Sequence, residues 1–220
     1  MWKGSLSQTI LNSAITMNKI IEDLQYITRD SDQYTHAEQA KLMFENGVKW
    51  VQIRMKNSSE SEILAQSEEA LSYAIKNNGT LIINDSIEVA KRINAHGVHL
   101  GLTDTPVNEA RNYLGDDFII GGTANTLNDI LMQVLRGADY IGFGPFRFTT
   151  TKKKLSPVIG LNGYSQTYKA LKDLQIDIPI IAVGGVTKED IQAIKESGLF
   201  GVAISEALLQ PWLVKESGKF

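Results

Sequence analysis

Cysteine is absent from all 220 residues, which removes disulfides, zinc–thiolate sites, iron–sulfur clusters and thiol nucleophiles together. The same absence fits a reducing compartment, and a cytoplasmic location is the expectation. An excess of positive charge is missing too. Twenty-two Lys and Arg stand against 25 Asp and Glu, a net charge of −3, so neither nucleic acid nor an anionic membrane is an expected partner. No apolar run approaches the ~18 residues of a membrane span. Asn12, Ser13 and Thr16 break the N-terminal stretch too often for a signal-peptide core. Only five prolines occur, and none gathers into a linker that would mark a domain boundary. With 43% hydrophobic and 21% charged residues, what remains is ordinary globular usage, which excludes disorder and coiled coil.

From Leu24 onward, short apolar runs alternate with stretches of helical period. The runs are Leu24–Thr28, Val48–Arg54, Thr80–Asn84, Gly97–Leu100, Phe118–Gly121, Tyr140–Gly144, Ile180–Gly184 and Gly201–Ile204. Their mixed patterns suit strands buried on both faces. Between them, Tyr34–Asn46, Glu60–Asn78, Ile87–Ala95, Pro106–Leu114, Thr126–Arg136, Tyr164–Leu174 and Lys188–Glu196 carry helical stripes. Eight strand–helix units predict an α/β chain closed as a single (β/α)₈ TIM barrel over residues 23–212. Residues 1–22 form an N-terminal extension, possible as helix, and 213–220 a tail. An open doubly wound sheet would want Gly-x-Gly-x-x-Gly after its first strand, and that is missing.

Local signals add detail. Asp85-Ser-Ile-Glu88 reads as a capping box, and Thr105-Pro106 as an N-cap followed by proline at the first helical position. Gly47, Gly79, Gly97, Gly115, Gly137 and Gly198 stand where left-handed helix stops are wanted. One connection is long, from Pro145 to about Gly163, and such loops usually bind or cover a ligand.

In a barrel of this kind the reactive groups stand at the carboxyl ends of the strands. Those ends carry Gln52-Ile-Arg54-Met-Lys56, Asn84-Asp85, Asp104, Gly121-Gly-Thr123, Thr149-Thr150-Thr151-Lys152, Gly184-Gly185 and Ile204-Ser205. Cations, two carboxylates, hydroxyls and glycines on one rim make a set for phosphate and metal chemistry, with no Ser-His-Asp triad. Asp85 and Asp104 follow adjacent strands and could face one magnesium ion, although Asp is also a leading helix cap. Arg54 and Lys56 suit a diphosphate, or else an internal ion pair and a solvated lysine. Lys152 belongs to the long loop, and Lys153 and Lys154 read as solvated. Gly184-Gly185 and Ser205 match a phosphate site after strands seven and eight, or a plain tight turn. His36, His96 and His99 read as structural.

The stretches VQIRMK, LIINDSIEVAKRINAHGVHLG-x-x-D, IIGGTANT, ADYIGFGPFRFTTTKKK, IAVGGV and GVAIS, in this order, resemble the thiamine phosphate synthase (thiamine-phosphate diphosphorylase) family from about Tyr26 to Leu209. The resemblance implies transfer of a hydroxymethylpyrimidine from its diphosphate to a thiazole phosphate, with magnesium as cofactor. It places Gln52, Arg54 and Lys56 on the pyrimidine diphosphate and Asn84 on the pyrimidine side. Asp85 and Asp104 fall at the metal positions. Thr123 stands where the family has serine, Thr149 and Thr151 match the thiazole-phosphate loop, and Lys152 the lysine at the diphosphate. Gly185, Ile204 and Ser205 match the thiazole-phosphate site. Arg54, Lys56, Thr123 and Lys152 are thereby the candidate catalytic residues. Two positions depart from the pattern: Leu102 replaces a glutamine and Asn125 a frequent histidine.

Such a reaction needs the leaving charge neutralised and the carbocation stabilised, which positioning and electrostatics supply without a covalent intermediate. Three rivals remain: a thiazole tautomerase of the same superfamily, a sugar-phosphate isomerase or epimerase, and a non-catalytic barrel that binds a phosphorylated metabolite. The first lacks the metal aspartates and the TxTK pattern; the second wants a central acid–base pair that this sequence does not offer.

Overall fold

The computed structural model describes residues 19–148 and 157–205. Eight parallel strands close in chain order: β1 (Leu24–Ile27), β2 (Trp50–Ile53), β3 (Thr80–Asn84), β4 (Gly97–Leu100), β5 (Ile119–Ala124), β6 (Tyr140–Phe143), β7 (Ile180–Ala182) and β8 (Gly201–Ile204). β1 pairs with both β2 and β8, which shuts the barrel. Outside it lie α1 (His36–Glu45), α2 (Glu60–Lys76), α3 (Ile87–Ile93), α4 (Val107–Leu114), α5 (Leu127–Leu135), α6 (Gly160–Asp173) and α7 (Ile191–Glu196). Any helix after β8 falls outside the described residues, as do most of the N-terminal extension and the whole C-terminal tail. Among the described residues no helix is long and apolar enough to cross a membrane.

The period of two along each strand sorts its side chains between two cores. Val51, Ile53, Leu81, Ile83, Val98, Leu100, Ile141 and Val202 point outward and pack with the inner faces of the helices. Trp50, Ile82, Ile119, Tyr140, Ile181 and Ala203 point inward and fill the barrel. Trp50 meets Tyr140 edge-on, with ring centroids 4.8 Å apart, an arrangement worth about 0.5–1.5 kcal/mol beyond burial alone. At the amino ends of the strands, Asp139 accepts from Lys19 Nζ at 3.0 Å, from Arg111 at 2.6 Å and from the Ile120 N–H at 2.7 Å. Lys19, part of the extension, is thus tied to the barrel floor.

Capping boxes start α1 at Thr35 and Glu38, α2 at Ser59 and Glu62, and α5 at Thr126 and Asp129. Several local expectations need correction. Ser86, not Asp85, caps α3, because Asp85 takes a left-handed backbone (φ 65°) that lies outside the helix. Pro106 itself occupies the cap position of α4 with no side-chain bond, so Thr105 is not the cap. The left-handed stops before β3 and β4 fall on Asn78 and Asn94. Gly79 and Gly97 serve close packing instead: a Cβ on Gly97 would lie 2.1 Å from the Ile119 carbonyl oxygen. Helix α6 begins at Gly160 rather than Tyr164, because the Pro145 carbonyl holds the Ile159 N–H at 3.0 Å and brings the chain back early.

A buried histidine, His36, and a half-buried one, His96, give stability a pH dependence. His96 Nδ1 accepts the Leu81 N–H at 3.0 Å, and burial lowers its pKa. Burial also lowers that of His36, against the upward pull of Asp30. Each folded value lies below the unfolded one, about 6.5. Their contribution is therefore complete above that pH and is lost as pH falls from it towards the folded values. The melting temperature should drop on acidification from pH 7.5 to 5. His96→Asn, which keeps an acceptor and does not titrate, should flatten that drop in melts across the range. A slope identical to wild type would show that His96 does not contribute.

Candidate active site

At the mouth of the barrel, Lys56 Nζ pairs with Asp85 Oδ2, and the Asp104 carboxyl stands beside that of Asp85. The left-handed turn at Asp85 sets this up. It follows β3 directly, and the Asp85 N–H donates to the His99 carbonyl at 2.9 Å, while the side chain swings over the mouth. Asp104 is fixed separately: its Oδ2 accepts the Gly101 N–H at 2.7 Å. A Cβ at Gly101 would lie 2.6 Å from that oxygen, so glycine is needed for the carboxylate to fold back.

Burial pushes the Asp85 carboxyl above the usual carboxylate range, the neighbouring Asp104 pushes it further, and Lys56 only partly offsets them. Burial alone would raise Asp104 as well, but Asp85, the Gly101 N–H and the Lys56 charge hold it low. Among the described residues no cluster of three or more His, Cys, Asp or Glu could hold a metal. Two carboxylates fit magnesium, which completes its shell with water and phosphate, and do not make a closed zinc cage.

Below the mouth, inward-facing polar side chains form one chain. Gln52, 2% exposed, donates through Nε2 to Gln25 Oε1 at 3.1 Å, and Gln25 Nε2 reaches the Tyr140 hydroxyl at 3.5 Å. The hydroxyl lies 3.0 Å from His99 Nδ1, and His99 Nε2 lies 3.0 Å from Thr123 Oγ1. Burial raises the Tyr140 pKa, so the phenol keeps its proton. The two ring nitrogens of His99 thus join the Tyr140 and Thr123 hydroxyls, one as donor and the other as acceptor in the neutral ring. Glycines make the room: a Cβ on Gly121 would lie 2.1 Å from the Tyr140 ring, and one on Gly142 2.9 Å from His99. The Arg54 N–H donates to Thr28 Oγ1 at 3.0 Å, and that hydroxyl is 2.7 Å from His36 Nδ1. Asn84 ends β3 on the inward phase, and Asn125 Nδ2 donates to the Gly144 carbonyl.

On the far side, Gly184 (φ 87°) and Gly185 (φ 73°) both take left-handed conformations that favour glycine. Arg147 lies against them and forms a two-pronged pair with Asp190, each contact 2.5 Å. Ser205 follows β8 half-buried, but the Ile204 side chain is 1% exposed within the outer core, so only its main chain faces a ligand. Thr149, Thr151 and Lys152, with Lys153 and Lys154, lie outside the described residues.

The sequence-derived candidates that are described thus gather at one end of the barrel. Reading the sequence missed His99, Tyr140, Gln25 and Arg147. His99 was legible in principle, since it is in phase with Gly97 and Gly101 on a strand whose inward side is otherwise bare. Arg147 gave no signal, because its partner Asp190 lies 43 residues away.

A family model described as thiamine monophosphate synthase matches residues 24–208, from the first residue of β1 to past the end of β8. A thiamine-phosphate synthase from Bacteroides thetaiotaomicron is 46% identical over 187 residues, covering 85% of this chain and 90% of that one. One from Bacteroides fragilis is 47% identical over 187 residues, covering 85% and 92%. The solved thiamine phosphate pyrophosphorylase from Pyrococcus furiosus superposes with a TM-score of 0.76 at 26% identity, over 89% of this chain and 91% of its own. With the whole barrel inside the match, and with relatives of this identity spanning nearly their full length, the chain belongs to the thiamine monophosphate synthase family.

Proposed function

We propose that the protein is a transferase that joins 4-amino-2-methyl-5-(diphosphomethyl)pyrimidine to a 4-methyl-5-(2-phosphoethyl)thiazole substrate, giving thiamine phosphate and diphosphate. The observation that carries this reading is the juxtaposition of Lys56, Asp85 and Asp104 at the mouth, directly above the polar chain that ends in Gln52 and Thr123. Asp85 and Asp104 would hold magnesium, which when bound neutralises charge on the diphosphate leaving group. Arg54 and Lys56 bind the same diphosphate, and Lys152 joins them from the long loop. Gln52 spends one amide N–H on Gln25, which orients the carboxamide so that its oxygen accepts from the exocyclic amine of the pyrimidine. Thr123 presents its hydroxyl to the ring, and Asn84 borders the same ring.

The C–O bond to diphosphate breaks, the aminopyrimidine stabilises the carbocation, and the thiazole nitrogen forms the new C–N bond. Gly185, Ser205 and the main chain of Ile204 hold the thiazole phosphate, with Thr149 and Thr151 on its loop. The residues' part is to bind, orient and neutralise. The tautomerase reading has no use for the paired aspartates. A coupled assay for diphosphate release decides the matter: release should require both substrates and magnesium, and release with neither thiazole phosphate nor magnesium present would overturn the assignment.

Asp104→Asn keeps an oxygen for the Gly101 N–H, so stability should change by about 1 kcal/mol or less. It loses the charge that a cation needs. Half-saturation by magnesium should rise about tenfold or more, and turnover should fall. A magnesium titration of the purified variant beside a melting curve checks both. Tyr140→Phe keeps the ring against Trp50 but strands His99 Nδ1, at a cost of about 1–3 kcal/mol. With Thr123 no longer oriented, KM for the pyrimidine diphosphate should rise while KM for the thiazole phosphate holds, as initial rates with each substrate varied in turn would show.

A further inference from the structure

Arg147 is half-exposed, yet its main chain and side chain together make four directed bonds. Its main-chain N–H donates to the Gly184 carbonyl at 3.0 Å, and one guanidinium nitrogen donates to the Gly185 carbonyl at 3.1 Å. Both arms of the guanidinium grip the Asp190 carboxylate at 2.5 Å, and the plane lies 4.7 Å from the Phe146 ring centroid. Asp190 is itself held, accepting from the Thr187 N–H at 2.8 Å and the Thr187 hydroxyl at 2.9 Å. Burial would raise its pKa, but the guanidinium and the Thr187 donors outweigh that and keep it ionised. The preceding residue continues the contact, with the Phe146 N–H donating to the Val183 carbonyl at 2.9 Å.

A trans peptide points its C=O and the following N–H in opposite directions. Arg147 takes up the carbonyls of Gly184 and Gly185, one with its backbone and one with its side chain. The N–H groups of Gly185 and Val186 are thereby turned away from Arg147, two in succession. Two adjacent main-chain donors aimed the same way are what a phosphate oxygen pair requires, and they act best when fixed beforehand. The two left-handed glycines permit the turn but do not select it, since such residues have many other conformations open to them. What selects it is the arginine.

We propose that Arg147 is a positioning residue for substrate phosphate: anchored by Asp190, it fixes the Gly185 and Val186 N–H groups towards the phosphate of the thiazole substrate. This rests on the assignment of Gly185 to that phosphate, and it adds Arg147 and Asp190, neither of which touches the ligand. A planar fork fulfils the role completely, because a single ammonium cannot grip Asp190 with two arms and still reach the Gly185 carbonyl.

The test uses the whole enzyme with initial rates for both substrates, and inorganic phosphate as a competitor of the thiazole phosphate. Arg147→Met keeps length and loses every side-chain donor. It should raise KM for the thiazole phosphate, and Ki for inorganic phosphate in parallel, by about tenfold, with KM for the pyrimidine diphosphate unchanged. Asp190→Asn, which can still accept from Thr187, should give a smaller rise, and Arg147→Lys should recover part of the loss. A wild-type KM for the thiazole phosphate in Arg147→Met would overturn the proposal, and so would an equal rise in both KM values. If inorganic phosphate fails to compete with the thiazole phosphate in the wild type, the phosphate assignment of Gly185 falls first, before any variant is compared.

Discussion

Eight strands closed on themselves leave an interior wide enough for side chains and nothing else, and every polar group placed there must find its partner in the same space. The lower part of this barrel largely avoids the demand by using Ile82, Ile119 and Ile181, although the Trp50 indole N–H stands buried there without a hydrogen-bond partner among the described residues. The upper part meets it with a chain of side-chain hydrogen bonds from Gln52 through Gln25, Tyr140 and His99 to Thr123. A chain held together from within fixes its own two ends, and those ends, Gln52 and Thr123, are the groups presented to whatever enters the mouth.

The mouth follows a different rule. Lys56, Asp85 and Asp104 stand together there, and Lys56 Nζ is paired with Asp85 Oδ2. A divalent ion on the two carboxylates would compete with that ammonium contact, freeing Lys56 for the ligand. At the other end of the strands, Asp139 with Arg111 and Lys19 is complete as it stands, and its role is to hold the floor.

The barrel was legible because its strands and helices differ in period, and eight such alternations admit few closures. The rim residues were legible because a barrel dictates where strands end. Other features depended on contacts that no local pattern records. Asp85 has the composition of a helix cap, yet the neighbouring Ser86 does that work and leaves the carboxylate to the site. Gly121 and Gly122 look like a strand terminus, but β5 runs through them to Ala124, because the missing side chains admit Tyr140 and Gln133. His99 looked solitary because its partners come from β5 and β6. The Thr149, Thr151 and Lys152 motif lies beyond the described residues, and its role rests on sequence alone.

Asp85 holds a left-handed backbone, a region that glycine enters freely and that Asn and Asp visit more readily than other L-residues, and it does so without capping the helix it precedes. The turn therefore restricts what can stand at position 85. A β-branched or bulky side chain would strain the backbone there whatever its chemistry, so the point at which the chain leaves β3 admits a carboxylate but few alternatives.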